Sequence, residues 1–246
     1  KRNIILHEGN AVIGKAHRIF WKYIKVRTSA YNLKKFFPDT VQVGMPVRSQ
    51  IIKLYNNKYQ PLTSKGLFNL LILGGSQGSK ILSINLSKVI ANLPIYIRKK
   101  IIIFHQVRYE HKTIVKKIYK KYNIKSYVDS FFKDINNYLG KASLVISRAG
   151  SSTIHENIIA GIPAIYFPIK NSVGNHQYEN ALVLKKNKAA WIFNEEDIRS
   201  GTFMELLRQI IIQPNLLKQF SFNNKRLGKP FASERVKEII LGLEVK

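Results

Sequence analysis

The chain has 246 residues, no cysteine, and 41 Lys plus Arg against 14 Asp plus Glu, for a formal charge of +27. That length allows one large or two small domains, and the missing cysteines exclude disulfides, thiol catalysis and cysteine-built metal centres. The charge either draws phosphates, whether of nucleic acid, an anionic membrane or a diphosphate, or is the same compositional drift that fills the chain with Asn and Ile.

The first apolar run, Ile4–Leu6, is too short for the hydrophobic part of a signal peptide and reads as a buried strand. No stretch reaches the roughly 20 apolar residues of a membrane span. "HEGN" (His7–Asn10) ends that strand with four residues rich in hydrogen-bonding capacity. A basic helix is expected over Lys15–Arg27, where Phe20, Trp21 and Tyr23 stand among cations. It reads either as a peripheral interfacial element or as a core-facing helix with a solvated face. Val41–Val43 is a second strand, and the polar "YNNKYQPLTSKG" is a loop or linker.

From Phe68 onward short β-branched runs alternate with amphipathic stretches. Strands are predicted at Asn69–Leu73, Ile101–His105, Ser126–Val128, Leu144–Ser147, Ala164–Phe167 and Ala190–Phe193. Helices are predicted at Ser79–Asn92, Arg108–Lys121, Ile135–Lys141, Thr153–Ala160, His176–Lys186 and Glu195–Ile212. Such alternation predicts an α/β fold built on a parallel sheet, with ligands gathered at the carboxyl ends of strands. Gly228 and Pro230 precede a last amphipathic helix.

Two turns carry the chemistry. In "LLILGGSQGSKIL" (Leu70–Leu82) a strand stops on Gly74 and runs through Gly75, Ser76, Gln77 and Gly78 into a helix. Bare backbone N–H groups at a helix start suit an anion, although the turn alone is equally a tight connection. It is neither a Walker loop nor the dinucleotide fingerprint. "LVISRAGSSTIHENIIAGIPAIYFP" (Leu144–Pro168) repeats the arrangement, with Arg148 at the strand end and Gly150 and Ser151 in the turn. Glu156 suits a ribose diol; alternatively it closes a capping box with Thr153. His176 and Gln177 open a helix, placed either to read sugar hydroxyls or to act as surface caps. The six histidines lack zinc-helix spacing and no Asp-x-Asp pair is present, so no metal is expected.

Taken in order, "HEGNAVIGKA", "VGMPVR", "LILGGSQGSKILSI", His105–Gln106, "ISRAGSSTIHE", "GIPAIYFP" and "NHQYENA" resemble the MurG family over nearly the whole chain. These are UDP-N-acetylglucosamine transferases that complete the lipid-linked disaccharide-pentapeptide of peptidoglycan. The resemblance implies a two-Rossmann-domain (GT-B) glycosyltransferase with a complete C-terminal donor domain and a truncated N-terminal acceptor domain. Residues 1–45 would be the acceptor-domain remnant, 46–66 a linker, 67–228 the UDP-sugar domain, and 229–246 a helix returning toward the N-terminal part. Gly75, Ser76, Gln77, Gly78 and Arg48 would hold the diphosphate, and Arg148, Gly150 and Ser151 would frame the nucleotide. Glu156 would bind the ribose, Phe132 would sit near the uracil, and Asn10, His176 and Gln177 would face the sugar.

The reaction implied is inverting transfer from UDP-N-acetylglucosamine to the muramyl 4-hydroxyl of an undecaprenyl-linked lipid, with Glu8 or His7 as base and no cofactor. The implied place is the cytoplasmic face of the bacterial inner membrane, attached peripherally to an anionic surface. Three features depart from the family pattern. The glycine-rich loop with its histidine and most of the acceptor domain are lacking, Met45 replaces Asn, and Val107 and Arg108 replace a small residue and Gly. Two alternatives stay open: a relative that binds UDP-sugar without turnover, and a basic nucleic-acid-binding module, for which no motif is found.

Overall fold

The computed structural model describes residues 3–74, 79–170 and 172–244. It contains two parallel sheets. The smaller joins β1 (Ile5–Glu8), β2 (Val26–Ser29) and β3 (Val41–Gln42) in that order. The larger has six strands: β4 (Phe68–Leu73), β5 (Ile101–Gln106), β6 (Lys125–Asp129), β7 (Leu144–Ser147), β8 (Ala164–Tyr166) and β9 (Ala190–Ile192). Their spatial order is β6-β5-β4-β7-β8-β9, all parallel. The chain winds outward from β4 in one direction and then, beginning with β7, in the other. The crevice between the carboxyl ends of β4 and β7 is therefore the topological switch point, where such sheets bind ligands.

The helices are α1 (Lys15–Phe20), α2 (Ser49–Ile52), α3 (Leu86–Ala91), α4 (Ile95–Arg98), α5 (Lys112–Lys121), α6 (Ile135–Lys141), α7 (Ser151–Ala160), α8 (His176–Lys186), α9 (Gly201–Ile212), α10 (Leu216–Leu227) and α11 (Ala232–Glu244). Alternate strand residues feed two cores, as the two-residue period of a strand requires. Phe68, Leu70, Ile72, Leu144, Ile146 and Ile165 join one face; Leu71, Val145, Ala164 and Tyr166 join the other. Covered on both sides, β4 and β7 are apolar over Leu70–Leu73 and Leu144–Ile146 without the alternation of a half-exposed strand, and all but Leu73 of their residues are buried. Edge strand β6 carries Lys125 exposed, which discourages further pairing.

Several sequence expectations change. The expected basic helix over Lys15–Arg27 is three elements: α1, a 3₁₀ turn at Trp21–Tyr23, and the start of β2. None of the α1 residues is buried, so the core-facing reading fails. The first strand runs on through His7 and Glu8 rather than ending at Leu6. The single helix expected at Glu195–Ile212 breaks at Ser200, whose hydroxyl accepts from Phe203 N to start α9. Residues 46–66, expected as a linker, hold α2, and Ile51 is fully buried among Val47, Leu54, Tyr55 and Tyr59 on the α7 side of the sheet.

The two sheets are joined through several contacts. Gly44 has φ +92°, and a Cβ there would stand 2.5 Å from Lys229 Cβ, so only glycine lets β3 meet the segment before α11. Asn3 Nδ2 donates to Leu243 O at 3.2 Å, which brings the last helix back to the start of the chain.

Candidate functional site

Each half of the switch point is a strand, a short turn and a helix. After β4, Gly74 N donates to Gln106 O at 3.3 Å. The turn residues Gly75, Ser76, Gln77 and Gly78 lie outside the described residues. The chain resumes at Ser79, whose Oγ accepts from Leu82 N at 3.3 Å. The helix that follows opens with a π-helical stretch, Ile81–Asn85, before α3. After β7 come Arg148, Ala149 and Gly150, and Gly150 is the N-cap of α7 with extended φ/ψ. Because β4 and β7 are hydrogen-bonded neighbours, with Leu73 in register with Ser147, their carboxyl ends stand side by side.

Arg148 ties them together. Its Nη2 donates to Ser79 Oγ at 2.8 Å, its Nη1 donates to Phe167 O at 3.0 Å, and it pairs with Glu195. Three of its five N–H donors thereby link the turns after β4, β8 and β9. Glu195 escaped sequence reasoning because it read only as the start of a helix.

α7 starts at Ser151, not Thr153. Thr153 is therefore no cap, and the capping-box reading of Glu156 is overturned: the carboxylate lies in the second turn. Glu156 Oε1 instead accepts from Arg48 Nε at 2.9 Å and Nη2 at 2.6 Å. Its Oε2 carries no hydrogen bond among the described residues. Arg48 and Glu156, given separate tasks at the diphosphate and the ribose, are thus paired to each other.

The "HEGN" segment is a built loop. Glu8 is 6% exposed. Its oxygens accept from Asn10 N, Asn10 Nδ2 and Gly14 N at 3.0, 3.1 and 2.8 Å, and His17 Nδ1 stands 3.1 Å away. His7 Nδ1 meets Thr28 Oγ1 at 3.0 Å, while its Nε2 is enclosed without a partner. Burial lowers the His7 pKa, so the ring is neutral at pH 7. Both Glu8 oxygens are thus engaged, whereas His7 keeps one enclosed nitrogen without a hydrogen bond among the described residues.

Asn10 is tied to α8: Asn180 Nδ2 donates to Asn10 Oδ1 at 3.0 Å, and Asn180 Oδ1 accepts from Ala11 N at 2.7 Å. Ser151 Oγ donates to Gly9 O, and Tyr31 packs edge-on to His155 at 5.0 Å. Fully buried Asn180 thus links the loop after β1 of the small sheet to α8 of the large one; its position inside "HQYEN" was the only signal for it. Gln177 Oε1 accepts from Ile169 N at 3.1 Å and closes the loop between β8 and α8. His176 opens α8 as expected.

Beside the crevice lies an open cavity of about 540 Å³, lined by Pro168, Lys170, Tyr178, Asn194, Glu195 and Glu196. A second, of about 660 Å³, follows β6 to Phe131 and Lys133. Phe132, the residue expected near a uracil, is only 7% exposed and stacks on Tyr138 at 4.3 Å. Its neighbour Phe131 is 68% exposed and offers the free ring.

Comparisons with known proteins agree with this geometry. The profile described as the glycosyltransferase family 28 C-terminal domain matches residues 69–236. The transferase of Paramagnetospirillum magneticum named UDP-N-acetylglucosamine–N-acetylmuramyl-(pentapeptide) pyrophosphoryl-undecaprenol N-acetylglucosamine transferase is 34% identical, over 97% of this chain and 66% of its own length. The protein of the same name from Zymomonas mobilis is 31% identical, over 96% of this chain and 62% of its own. The crystal structure of Acinetobacter baumannii MurG superposes with a TM-score of 0.80 at 25% identity, covering 98% of this chain and 68% of that one. The chain spans just under two thirds of the length of these two curated relatives. With a topological switch point between β4 and β7 of a Rossmann-like parallel sheet and a family match over residues 69–236, the chain belongs to glycosyltransferase family 28, whose C-terminal domain it carries.

Proposed function

We propose that residues 67–228 bind a UDP-sugar and that the protein serves a hexosyl transfer from UDP-N-acetylglucosamine to an undecaprenyl-linked muramyl-pentapeptide, as the names of its relatives describe. The observation carrying this reading is the adjacency of the carboxyl ends of β4 and β7, each followed in the sequence by a small-residue turn, with Glu156 on α7 paired to Arg48. Backbone donors of the two turns would receive the diphosphate, whose negative charge grows as the sugar departs. Glu156 Oε2 would accept from the ribose diol, with Arg48 free to turn to a phosphate once a ligand displaces it. Phe131 replaces Phe132 as the ring near the uracil. Of the two base candidates the proposal keeps His7, which is neutral and has one nitrogen unused. Inversion follows if the acceptor hydroxyl attacks from the face opposite the departing diphosphate.

Calorimetry with UDP tests the donor site. A hydrogen bond to a charged group contributes about 1.5–3 kcal/mol, so Glu156→Ala is expected to weaken UDP roughly 10- to 100-fold. It should leave 2′,3′-dideoxy-UDP, which has no diol to lose, within about twofold of wild type. Unchanged UDP affinity in Glu156→Ala would remove the ribose assignment.

A second reading concerns attachment to an anionic membrane on the cytoplasmic side. Ile19, Phe20 and Tyr23 are 68%, 55% and 74% exposed, and Lys15, Arg18 and Lys22 are exposed beside them. An apolar cluster ringed by cations suits the boundary of an anionic bilayer, where each basic residue adds about 1 kcal/mol. Among the described residues no helix is long and apolar enough to cross a membrane. Co-sedimentation should rise steeply with phosphatidylglycerol content of vesicles and drop at least fivefold in Ile19→Ser/Phe20→Ser. Binding that ignores anionic content would end this reading.

A further inference from the structure

The pair His105–Gln106 is a motif that the proposed chemistry leaves without a task. Both residues end β5, the neighbour of β4 on the side away from β7. They contact residues on either side of the glycine turn that follows β4, one before it and one after it. The Gln106 carbonyl receives Gly74 N at 3.3 Å, where the turn begins. The His105 ring is fully buried and meets Leu82 O through Nε2 at 2.9 Å, just beyond the turn. A carbonyl can only accept, so Nε2 carries the proton. Nδ1 is then the acceptor, and the Tyr119 hydroxyl donates to it at 2.9 Å. This chain of hydrogen bonds leaves the ring one tautomer and one orientation.

The segment that His105 grips is unusual. Ile81–Asn85 is π-helical, a wider turn than the α-helix and one often found at functional sites. Leu82 is fully buried, its N–H donates to Ser79 Oγ, and Ser79 Oγ also receives Arg148. Leu82 is therefore where the imidazole, the first helical turn and the β7 corner are coupled. A shift of the π-helical stretch would carry Ser79 and the helix start with it.

We propose that His105 is a positioning residue for anion binding: by holding Leu82 O from β5 it sets the place and tilt of the helix start that faces the diphosphate of the donor. The inference rests on the donor-site reading above and deepens it. A residue that acts on the phosphate end alone should change affinity for UDP and not for uridine, whereas general loosening of the domain weakens both. His105→Phe keeps a ring of similar size and loses both hydrogen bonds. His105→Gln keeps a donor near the place of Nε2.

Calorimetry on the full chain is the test, with a thermal melt on each variant. His105→Phe is expected to lower UDP affinity at least tenfold and uridine affinity less than twofold. His105→Gln should recover most of the loss. If His105→Phe does not fold, Tyr119→Phe, which removes only the Nδ1 partner, should still weaken UDP about threefold and spare uridine. Equal losses for UDP and uridine, or wild-type UDP affinity in the folded variants, would overturn the role of His105 while leaving the donor site standing. No UDP binding by the wild-type chain would instead overturn the donor-site reading itself.

Discussion

Replacing Arg148 with methionine will lower the unfolding free energy by about 3 kcal/mol and abolish measurable UDP binding. The stability loss follows from what the guanidinium holds. It is nearly buried, with side-chain exposure of 13%, and its partners are Ser79 Oγ, Phe167 O and Glu195. Methionine fills much of the same volume but leaves the Glu195 carboxylate, 25% exposed, without its cation. Breaking a buried pair by removing one partner costs about 3–5 kcal/mol, and the partial exposure of Glu195 places this pair at the low end. A double variant, Arg148→Met with Glu195→Gln, should regain about 1–2 kcal/mol, because the stranded charge is gone. Arg148→Lys should lie between, since a single ammonium cannot span three acceptors on separate strand ends. Urea midpoints at constant m-value measure all four proteins. If Arg148→Met unfolds at the wild-type midpoint, the guanidinium does not tie the corners together.

The large sheet was legible because its central strands β4, β7 and β8 are buried on both faces. β7 over Leu144–Ser147 and the helices over Ile135–Lys141 and His176–Lys186 match their sequence expectations residue for residue. β2 was not legible. Its buried residues are Thr28 and Ser29, 1% and 0% exposed and on opposite faces, and their hydroxyls are satisfied by His7 and by Tyr31 O. A reading by apolar period passes over a strand whose buried residues are polar. The helix at Thr153 was misplaced for a related reason: Gly150 starts α7 by its backbone alone, so the Thr-x-x-Glu pattern beside it drew the boundary instead. At the site, adjacency of the corners followed from strand order, which short-range pattern cannot supply. Arg148–Glu195 and Asn10–Asn180 join residues 47 and 170 positions apart, and no local spacing announces them. Phe131 and Phe132 show the limit at its smallest: two identical neighbours, one exposed and one buried, separated only by which way the chain turns after β6.

Acid will destabilise this protein far sooner than its high lysine content suggests, and two buried imidazoles set the course. His105 is fully enclosed, and loss of hydration holds its pKa down to about 3, the hydrogen bond to Leu82 O opposing only in part. His155 lies against Tyr31 with Nδ1 on Ser151 O, and burial lowers it to about 4, with His7 adding a smaller push in the same direction. In the unfolded chain both titrate near 6.5. Between the folded and unfolded values the unfolded state binds more protons, so stability rises with pH there. The contribution is complete above about pH 6.5 and is lost as the pH falls toward 4 for His155 and toward 3 for His105. At about 1.4 kcal/mol per unit, two pH units below the ordinary value remove roughly 2.7 kcal/mol through His105 and slightly less through His155. Their sum near pH 4.5, about 5 kcal/mol, equals the whole stability of many domains. Denaturant midpoints taken from pH 7.5 to 4.5 should therefore fall steeply. In His105→Gln the slope should drop by about half, since glutamine keeps a donor for Leu82 O and does not titrate. A slope unchanged by that substitution would mean that the ring between Leu82 and Tyr119 takes up its proton without leaving the folded state.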